Sequence, residues 1–345
     1  MSTATPRNTK KITLEVLKYT LFSALTVYLV WSFVQRVDWP KVTQALAQAN
    51  YWWVLLSMLA GWTAIVVRAQ RWRIIIEPLR YRPSLKNTYD AVMLTYLANF
   101  ALPRLGEVVR CGALRKTEKI PFDSLLGTVV MERVFDLLCL LVVVVSVIFL
   151  RIETFGAFMV DKIWHPLMEY TGGSFSQWLL IAAIAAFVGL ILILVFRKKI
   201  LKINWVQKSV KLFSGLMDGL RAGFRLKKQH QFFGYTLLLW SLYFIQSYTI
   251  MKSMPETNGL LVADALFLMV VGSLGWVAPV QGGLGAYHYM ISLALVGIYA
   301  VDAGMSDAFA IISHESQAAV MIFFGLISLV AVTLVKKKQK IDEIR

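Results

Sequence analysis

Long apolar runs are the feature that most constrains this chain. Several runs reach about 17 to 28 residues, which at about 1.5 Å per helical residue is enough to cross roughly 30 Å of hydrocarbon. They must be helices, because a segment in lipid pairs its own backbone groups and the runs lack the alternation of barrel strands. Composition agrees, since 58% of the 345 residues are hydrophobic and only 16% are charged. We predict an all-α, polytopic membrane helical bundle.

The apolar pattern predicts six full spans and two interrupted stretches. The full spans are expected at residues 16–34, 52–67, 124–150, 177–196, 232–251 and 308–335. We interpret the first as a retained span and not a secretory signal, because no small-residue cleavage site follows it. One interrupted stretch runs from Asn87 to Lys119 and breaks at Pro103, and the other runs from Leu260 to Ala300 and breaks at residues 281–283. Each is expected to form a helical hairpin.

The net charge of +16 could indicate nucleic-acid binding, but its distribution indicates membrane topology instead. Thirty of the 36 lysines and arginines lie in five segments that alternate with sparsely charged loops. These basic segments are residues 1–18, 68–86, 103–120, 197–228 and 336–345. Because basic loops stay on the cytoplasmic side, both termini are predicted to be cytoplasmic in a cell-membrane protein, and no nucleic-acid partner is expected.

This orientation makes the two hairpins enter the membrane from opposite sides. Each half, about 12–150 and 177–335, then contains span, span, re-entrant hairpin and span, which predicts two inverted repeats within a single membrane domain, 1–345. The alternative is that each hairpin is an ordinary pair of full spans. The basic amphipathic segment 200–228 is expected to lie on the cytoplasmic leaflet.

The first break carries a dense charged motif. Pro103 and Gly106 should interrupt the helix, and the new helix would direct its positive end towards the break. Arg104 and Arg110 add geometry suited to a phosphate, while Glu107 would pair with an arginine or take a proton or cation. The alternative is a cytoplasmic loop with an internal Arg–Glu pair.

A second charged motif lies inside the span 124–150. Glu132, Arg133 and Asp136 would sit near mid-depth, where a charge costs a few kcal/mol, so they must face the protein interior or a wet cavity. Glu132 and Asp136 share a helix face and suit an arginine of the first hairpin. A proton or Na⁺ site and a structural clamp are the alternatives.

The second break contains glycines that would allow the backbone to approach a ligand. Pro279 begins it, and the candidate ligand-binding residues here are Gly282, Gly283, Gly285 and His288. A proton relay through His288, His314 and Glu315 is one interpretation, and hydrogen-bonded packing histidines are the other.

Catalytic and metal-binding signatures are missing from the sequence. No nucleophile–base set, phosphate loop, metal-ligand cluster or cofactor fingerprint is recognisable, and the two cysteines are too few for a disulfide framework. We therefore expect no enzyme activity, no cofactor and no metal.

Taken together, the motifs around Pro103, Glu132 and Pro279 resemble the lysylphosphatidylglycerol synthase transmembrane region, a flippase-like family, over roughly residues 12–335. The resemblance implies that a charged lipid moves between leaflets through a cavity built from two inverted repeats. By position, the first motif is matched by Arg104, Glu107 and Arg110, the second by Glu132, Arg133 and Asp136, and the third by Gly282, Gly283 and Gly285. His288 stands where the family commonly has an acidic residue.

Full-length synthases of that family join a cytosolic aminoacyl-transferase domain to this membrane region. This chain stops ten residues after its last predicted span, so synthase activity is expected to be absent. The leading hypothesis is translocation of an anionic phospholipid or a polyprenyl-phosphate-linked lipid. The alternatives are an ion-coupled small-solute transporter and a non-catalytic membrane subunit of a lipid- or glycan-modifying system.

Overall fold

A computed structural model describes residues 9–152 and 226–342, with side chains for residues 20–152 and 226–335. These residues fold into α-helices and short 3₁₀ turns and contain no β-strand. The helices are α1 Thr9–Arg36, α2 Trp39–Gln48, α3 Tyr51–Ile76, α4 Leu85–Ala101, α5 Gly106–Glu118, α6 Phe122–Leu150, α7 Gln229–Met251, α8 Pro255–Asn258, α9 Val262–Val277, α10 Ala286–Tyr299 and α11 Ala303–Asp342. The predicted all-α class is confirmed for the described parts of the chain.

Helices cover the predicted spans that fall within the described residues. Among the described residues, three helical segments are long and apolar enough to cross a membrane: Tyr51–Leu79, Phe122–Leu150 and Ala303–Val335. The helix α7, which covers the predicted span 232–251, is not one of them. Residues Thr20–Arg36 of α1 and the short α2 meet at 86°, and together would make a fourth. The predicted span 177–196 and nearly all of the amphipathic segment 200–228 lie outside the described residues.

The end of the second predicted span requires a correction. The apolar pattern predicted that this span ends at residue 67 and that Arg68 and Arg71 lie in a basic loop. In the structure, α3 continues without interruption to Ile76. Both arginines lie inside the helix and are buried. They pair with carboxylates of another helix. The hydropathy of a single segment does not predict such partners, although they make a charge inside a span acceptable.

Each hairpin packs into a hydrophobic core of its own. The arms α4 and α5 pack with α3 and α6 around the fully buried Trp72, and the arms α9 and α10 pack with α2 and α11 around Phe309. The long helices α3 and α7 lie along each other and join the two cores. Gly61 of α3 allows a close approach, since a Cβ there would lie 2.2 Å from Gln317 Oε1 of α11. Small residues commonly allow membrane helices to pack closely in this way.

The two predicted breaks occur where proline and glycine placed them. In the first, residues 102–105, α4 ends at Ala101 and α5 begins at Gly106, whose N–H donates to the side-chain oxygen of Asn99 at 2.8 Å. Arg104 adopts a left-handed conformation with φ of 64°. In the second, residues 278–285, all three glycines have positive φ. The helices are thus interrupted by backbone conformations that they cannot contain.

The two breaks contact each other in the interior of the bundle. A Cβ added at Gly282 would lie 2.3 Å from Cδ1 of Phe100, the aromatic residue that precedes the first break. The ring of Phe100 also meets the ring of Trp276 edge-on, with centroids 6.2 Å apart. The chain therefore brings its two irregular segments to one place.

Candidate functional site

A cavity of about 520 Å³ lies where the two breaks meet. Both breaks contribute to its wall, together with α3, α6, α7 and α11. Its charged, amide and tyrosine lining side chains are Arg68, Tyr96, Asn99, Arg104, Glu107, Arg133, Asp136, Tyr243, Gln246 and Tyr287. Most of the remaining wall is apolar, including Leu137, Leu140, Ile250, Leu268, Trp276, Phe309 and Met321. The cavity thus combines a charged region with an apolar surface.

Asp136 anchors two arginines of α3 beside the cavity. Arg68 Nη2 donates to Asp136 Oδ2 and Arg71 Nη2 donates to Asp136 Oδ1, each at 2.6 Å. Arg68 and Asp136 reach the cavity wall, whereas Arg71 is fully buried behind them. Positions 68 and 71 are three apart on a helix, so both side chains lie on one face and can reach the same carboxylate.

Glu132 and Arg110 form a closed pair behind the cavity. Both are fully buried, and Arg110 Nη2 lies 2.5 Å from Glu132 Oε2. The guanidinium of Arg110 also stacks over the ring of Trp72 at 3.7 Å, and the indole N–H of Trp72 donates to Thr128 at 2.9 Å. An arginine of the first hairpin therefore pairs with Glu132 as the sequence suggested, but neither residue reaches the cavity wall.

Arg133 and Glu107 are the charged pair that remains accessible. Arg133 Nη2 lies 3.4 Å from Glu107 Oε1, and its Nη1 lies 3.8 Å from Asp136 Oδ2. Both distances exceed those of short charge-assisted hydrogen bonds, and the Arg133 side chain is 40% exposed. Arg133 is consequently held more loosely than the three buried arginines.

Arg104 at the first break lines the cavity, is exposed and makes no ion pair with another described residue. With Arg104 included, five arginines face three carboxylates in this region. The arginines are Arg68, Arg71, Arg104, Arg110 and Arg133, and the carboxylates are Glu107, Glu132 and Asp136. Two positive charges are therefore not balanced within the cluster, and the two most exposed arginines, Arg104 and Arg133, are at the cavity.

On the side of the second break, Gly282 and Gly283 line the cavity, but Gly285 and His288 do not. Gly285 packs against α1, where a Cβ would lie 2.7 Å from Leu29 Cβ. Pro279 lies in the connection between α9 and the 3₁₀ turn at residues 281–283, as the predicted break requires.

The two predicted relay histidines come together beside the second break. His314 Nε2 lies 2.8 Å from the carbonyl oxygen of Gly282, and His314 Nδ1 lies 2.9 Å from Glu315 Oε1. His288 Nε2 lies 3.5 Å from the same carboxylate oxygen. Tyr287 and Ser313 share a hydrogen bond of 2.6 Å nearby, and both reach the cavity wall.

Sequence reasoning missed several contributors to the site, among them Tyr96, Tyr243 and Gln246 of the cavity wall. Arg68 and Arg71 were assigned to a loop, and Asn99, which accepts the first N–H of α5, was not selected as a site residue. The available signal was the spacing of the two arginines directly after an apolar run, which places them on one face of a continued helix.

A family model described as the lysylphosphatidylglycerol synthase TM region matches residues 16–335. The chain belongs to this family. It is accordingly a multi-pass helical membrane protein, and the resemblance identified from the three motifs is confirmed.

Two curated proteins are similar to parts or most of this chain. A UPF0104 membrane protein of Methanocaldococcus jannaschii is 27% identical over 126 residues, which cover 36% of this chain and 38% of that protein. Glycosyltransferase AglD of Haloferax volcanii is 23% identical over 359 aligned positions, which cover 96% of this chain and 56% of that protein. The matches thus span about half or less of either relative. No solved structure matches the chain significantly.

Proposed function

We propose that this protein moves a phosphate-bearing lipid headgroup between the leaflets of the cell membrane. One observation carries the proposal: a single cavity contacts both helix breaks and combines surplus positive charge with an apolar wall. An anionic headgroup matches the charge, and an acyl or polyprenyl chain matches the wall. A charge at the centre of a bilayer costs at least about 2.5 kcal/mol by insertion scales, and such a cavity lowers that barrier.

Arg104 and Arg133 are the proposed headgroup ligands. Arg104 has no carboxylate partner among the described residues, and Arg133 can exchange its long contacts with Glu107 and Asp136 for a phosphate oxygen. Guanidinium groups suit phosphate because they can offer two parallel N–H donors. Glu107 would then compete with the phosphate for Arg133, so the headgroup can bind and can also be released.

Arg110 and Glu132 have a supporting role in this proposal. Because they are fully buried, they fix α5 against α6 and so position the first break. The earlier alternative of a structural clamp therefore suits this pair, whereas the binding role suits the residues that reach the cavity.

Alternating access would come from the two hairpins. We propose that the halves form inverted repeats, with both termini cytoplasmic and the hairpins entering from opposite sides. The contact between Phe100 and Gly282 supports coupled movement of the two hairpins, because it lets movement of one break alter the other. Discontinuous helices near the membrane midplane are a recurring basis for such transport.

Reconstitution tests the proposal directly. Purified protein is placed in vesicles that carry a trace of fluorescent phosphatidylglycerol, phosphatidylcholine or polyprenyl phosphate, and a membrane-impermeant quencher reports the outer leaflet. We expect faster loss of the protected signal for an anionic lipid than for phosphatidylcholine. Rates equal to those of protein-free vesicles for all three lipids would contradict the proposal.

A second candidate is a non-catalytic membrane subunit of a lipid-linked glycan system. It is favoured by one finding, the match of nearly the whole chain to part of a protein named as a glycosyltransferase. This candidate predicts no lipid movement by the isolated protein but a loss of lipid-linked glycan in cells that lack it. Movement of polyprenyl phosphate in vesicles would instead assign the protein a transport step.

A further inference from the structure

A cluster of three potential ligand side chains lies beside the second break, outside the charged end of the cavity. His288 of α10 and His314 and Glu315 of α11 bring one ligand atom each to within 4.8 Å of one another. The two imidazoles are buried, and the Glu315 side chain is half exposed. The histidines come from different helices, which is why the sequence shows no ligand spacing.

The hydrogen bond to Gly282 fixes the proton on His314. A carbonyl oxygen can only accept, so Nε2 of His314, at 2.8 Å, must carry a proton. In the neutral ring, Nδ1 then presents a lone pair to the carboxylate oxygen of Glu315 at 2.9 Å. Two lone pairs at this distance repel each other, so a cation has to lie between them.

A proton would satisfy this pair but not the third member. His288 Nε2 lies 3.5 Å from the same oxygen of Glu315, which is too far for a hydrogen bond of ordinary strength. Its other nitrogen, Nδ1, is buried without a hydrogen-bond partner among the described residues. One larger cation in contact with all three ligand atoms explains the convergence of both rings on one carboxylate.

We propose that His288 Nε2, His314 Nδ1 and Glu315 Oε1 bind a divalent transition metal ion of the Zn²⁺ type. Bonds of about 2.0 to 2.1 Å at tetrahedral angles place ligand atoms about 3.3 Å apart. Glu315 Oε1 lies 2.9 Å from His314 Nδ1 and 3.5 Å from His288 Nε2, on either side of this value. All three ligand atoms lie within 4.8 Å of one another, so binding of one ion would also draw the two imidazoles closer together. Imidazole and carboxylate ligands suit such ions, and three protein ligands leave a fourth position open.

The surroundings of His314 fit this assignment. Metal-binding histidines usually donate their second N–H to a carbonyl or carboxylate, as His314 does to Gly282. The ring also stacks on Trp276 with centroids 4.7 Å apart, which fixes its plane. Since Gly282 lines the cavity and touches Phe100, the ion would hold the second break in position against the first. This role does not depend on which cargo the cavity carries.

Metal content provides the test. The full chain, purified without a polyhistidine tag and stripped with chelator, is equilibrated with Zn²⁺, dialysed and analysed by mass spectrometry, and Co²⁺ is followed by its visible absorption. We expect about one ion per chain. His314→Gln and Glu315→Gln should each weaken binding by roughly tenfold or more, with loss of the tetrahedral Co²⁺ bands.

His230→Gln is the matched control, because His230 is exposed on α7 and should leave binding unchanged. Glu315→Gln alters a half-exposed side chain and should elute as a single species in size-exclusion chromatography, which separates lost binding from lost fold. Folded wild-type protein that retains no more metal than His314→Gln would overturn the proposal and leave a proton as the shared cation. Equal binding by wild type and both ligand variants would also overturn it.

Discussion

Glu132 is the residue on which charges from three helices converge. On α6 it lies 2.5 Å from Arg110 of α5 and 3.5 and 3.6 Å from Arg71 and Arg68 of α3. All four side chains are buried, so little water is available to replace a missing partner. The convergence makes Glu132 a structural residue first, whatever the cavity carries.

Replacing Glu132 with Gln should therefore destabilise the fold. Removal of one member of a buried ion pair typically costs about 3–5 kcal/mol, because the remaining charges stay buried without compensation. We expect a clearly lower thermal unfolding midpoint in detergent, measured by intrinsic tryptophan fluorescence. Asp123→Asn is the matched control, since Asp123 is exposed in the first turn of the same helix. Equal midpoints for the two variants would show that the pair does not support the fold.

The expected destabilisation also limits which residues can be used to test transport. A Glu132 variant would lose activity through lost structure, so it cannot separate a transporter from a scaffold. Arg104 is the better position, because it is exposed and makes no ion pair with another described residue.

Among the elements, the two breaks show what local chemistry can predict. Pro103 and the glycines of residues 282–285 located the interruptions, because proline removes a helix N–H and glycine accepts positive φ. The contact between the breaks was not predictable. It depends on Phe100 meeting Gly282 across the bundle, and no spacing within either segment encodes that distance.

Gly282→Ala should separate the two breaks. The left-handed backbone costs a residue with a Cβ about 1–2 kcal/mol, and the new methyl group would lie 2.3 Å from Phe100 Cδ1. We expect a lower unfolding midpoint than for Gly234→Ala in α7, where an added Cβ meets nothing within 4 Å. There, alanine should stabilise the helix by about 0.5–1 kcal/mol.

A double variant separates the two causes. Phe100→Ala combined with Gly282→Ala removes the clash but keeps the backbone strain, so the combined loss should be smaller than the sum of the single losses. Strict additivity would indicate that the breaks do not touch. Residues this close normally couple in such a cycle.

For the whole molecule, the topology derived from the charge distribution stays a prediction, and a helix covers each span that hydropathy predicted within the described residues. The exception was the end of α3, where Arg68 and Arg71 were assigned to a loop. A hydropathy scale assigns each charged residue the cost of placing it in the membrane without a partner. Here Asp136 on another helix pairs with both arginines and compensates their charge. The closed pair of Arg110 and Glu132 and the open position of Arg104 likewise depend on tertiary packing.

Cysteine labelling tests the predicted orientation. In a Cys139→Ser background, Asn258→Cys, at the end of α8 and on the predicted outer side, should react with an impermeant maleimide in intact cells. Lys116→Cys, at the basic end of α5, should react only after permeabilisation, because basic segments are retained on the cytoplasmic side. Both positions are exposed, so burial does not confuse the comparison. The reverse pattern would invert the proposed topology.

The central claim is that the cavity carries an anionic headgroup on arginines that the fold leaves available. Its most direct test is the rate of fluorescent anionic-lipid movement in vesicles containing Arg104→Gln or Arg115→Gln protein. Both variants remove one exposed arginine, but Arg104 lines the cavity and Arg115 lies at the far end of α5. We predict a rate reduced at least roughly tenfold for Arg104→Gln, equivalent to about 1.4 kcal/mol, and an unchanged rate for Arg115→Gln. Equal rates for the two variants, with both proteins folded, would contradict the account.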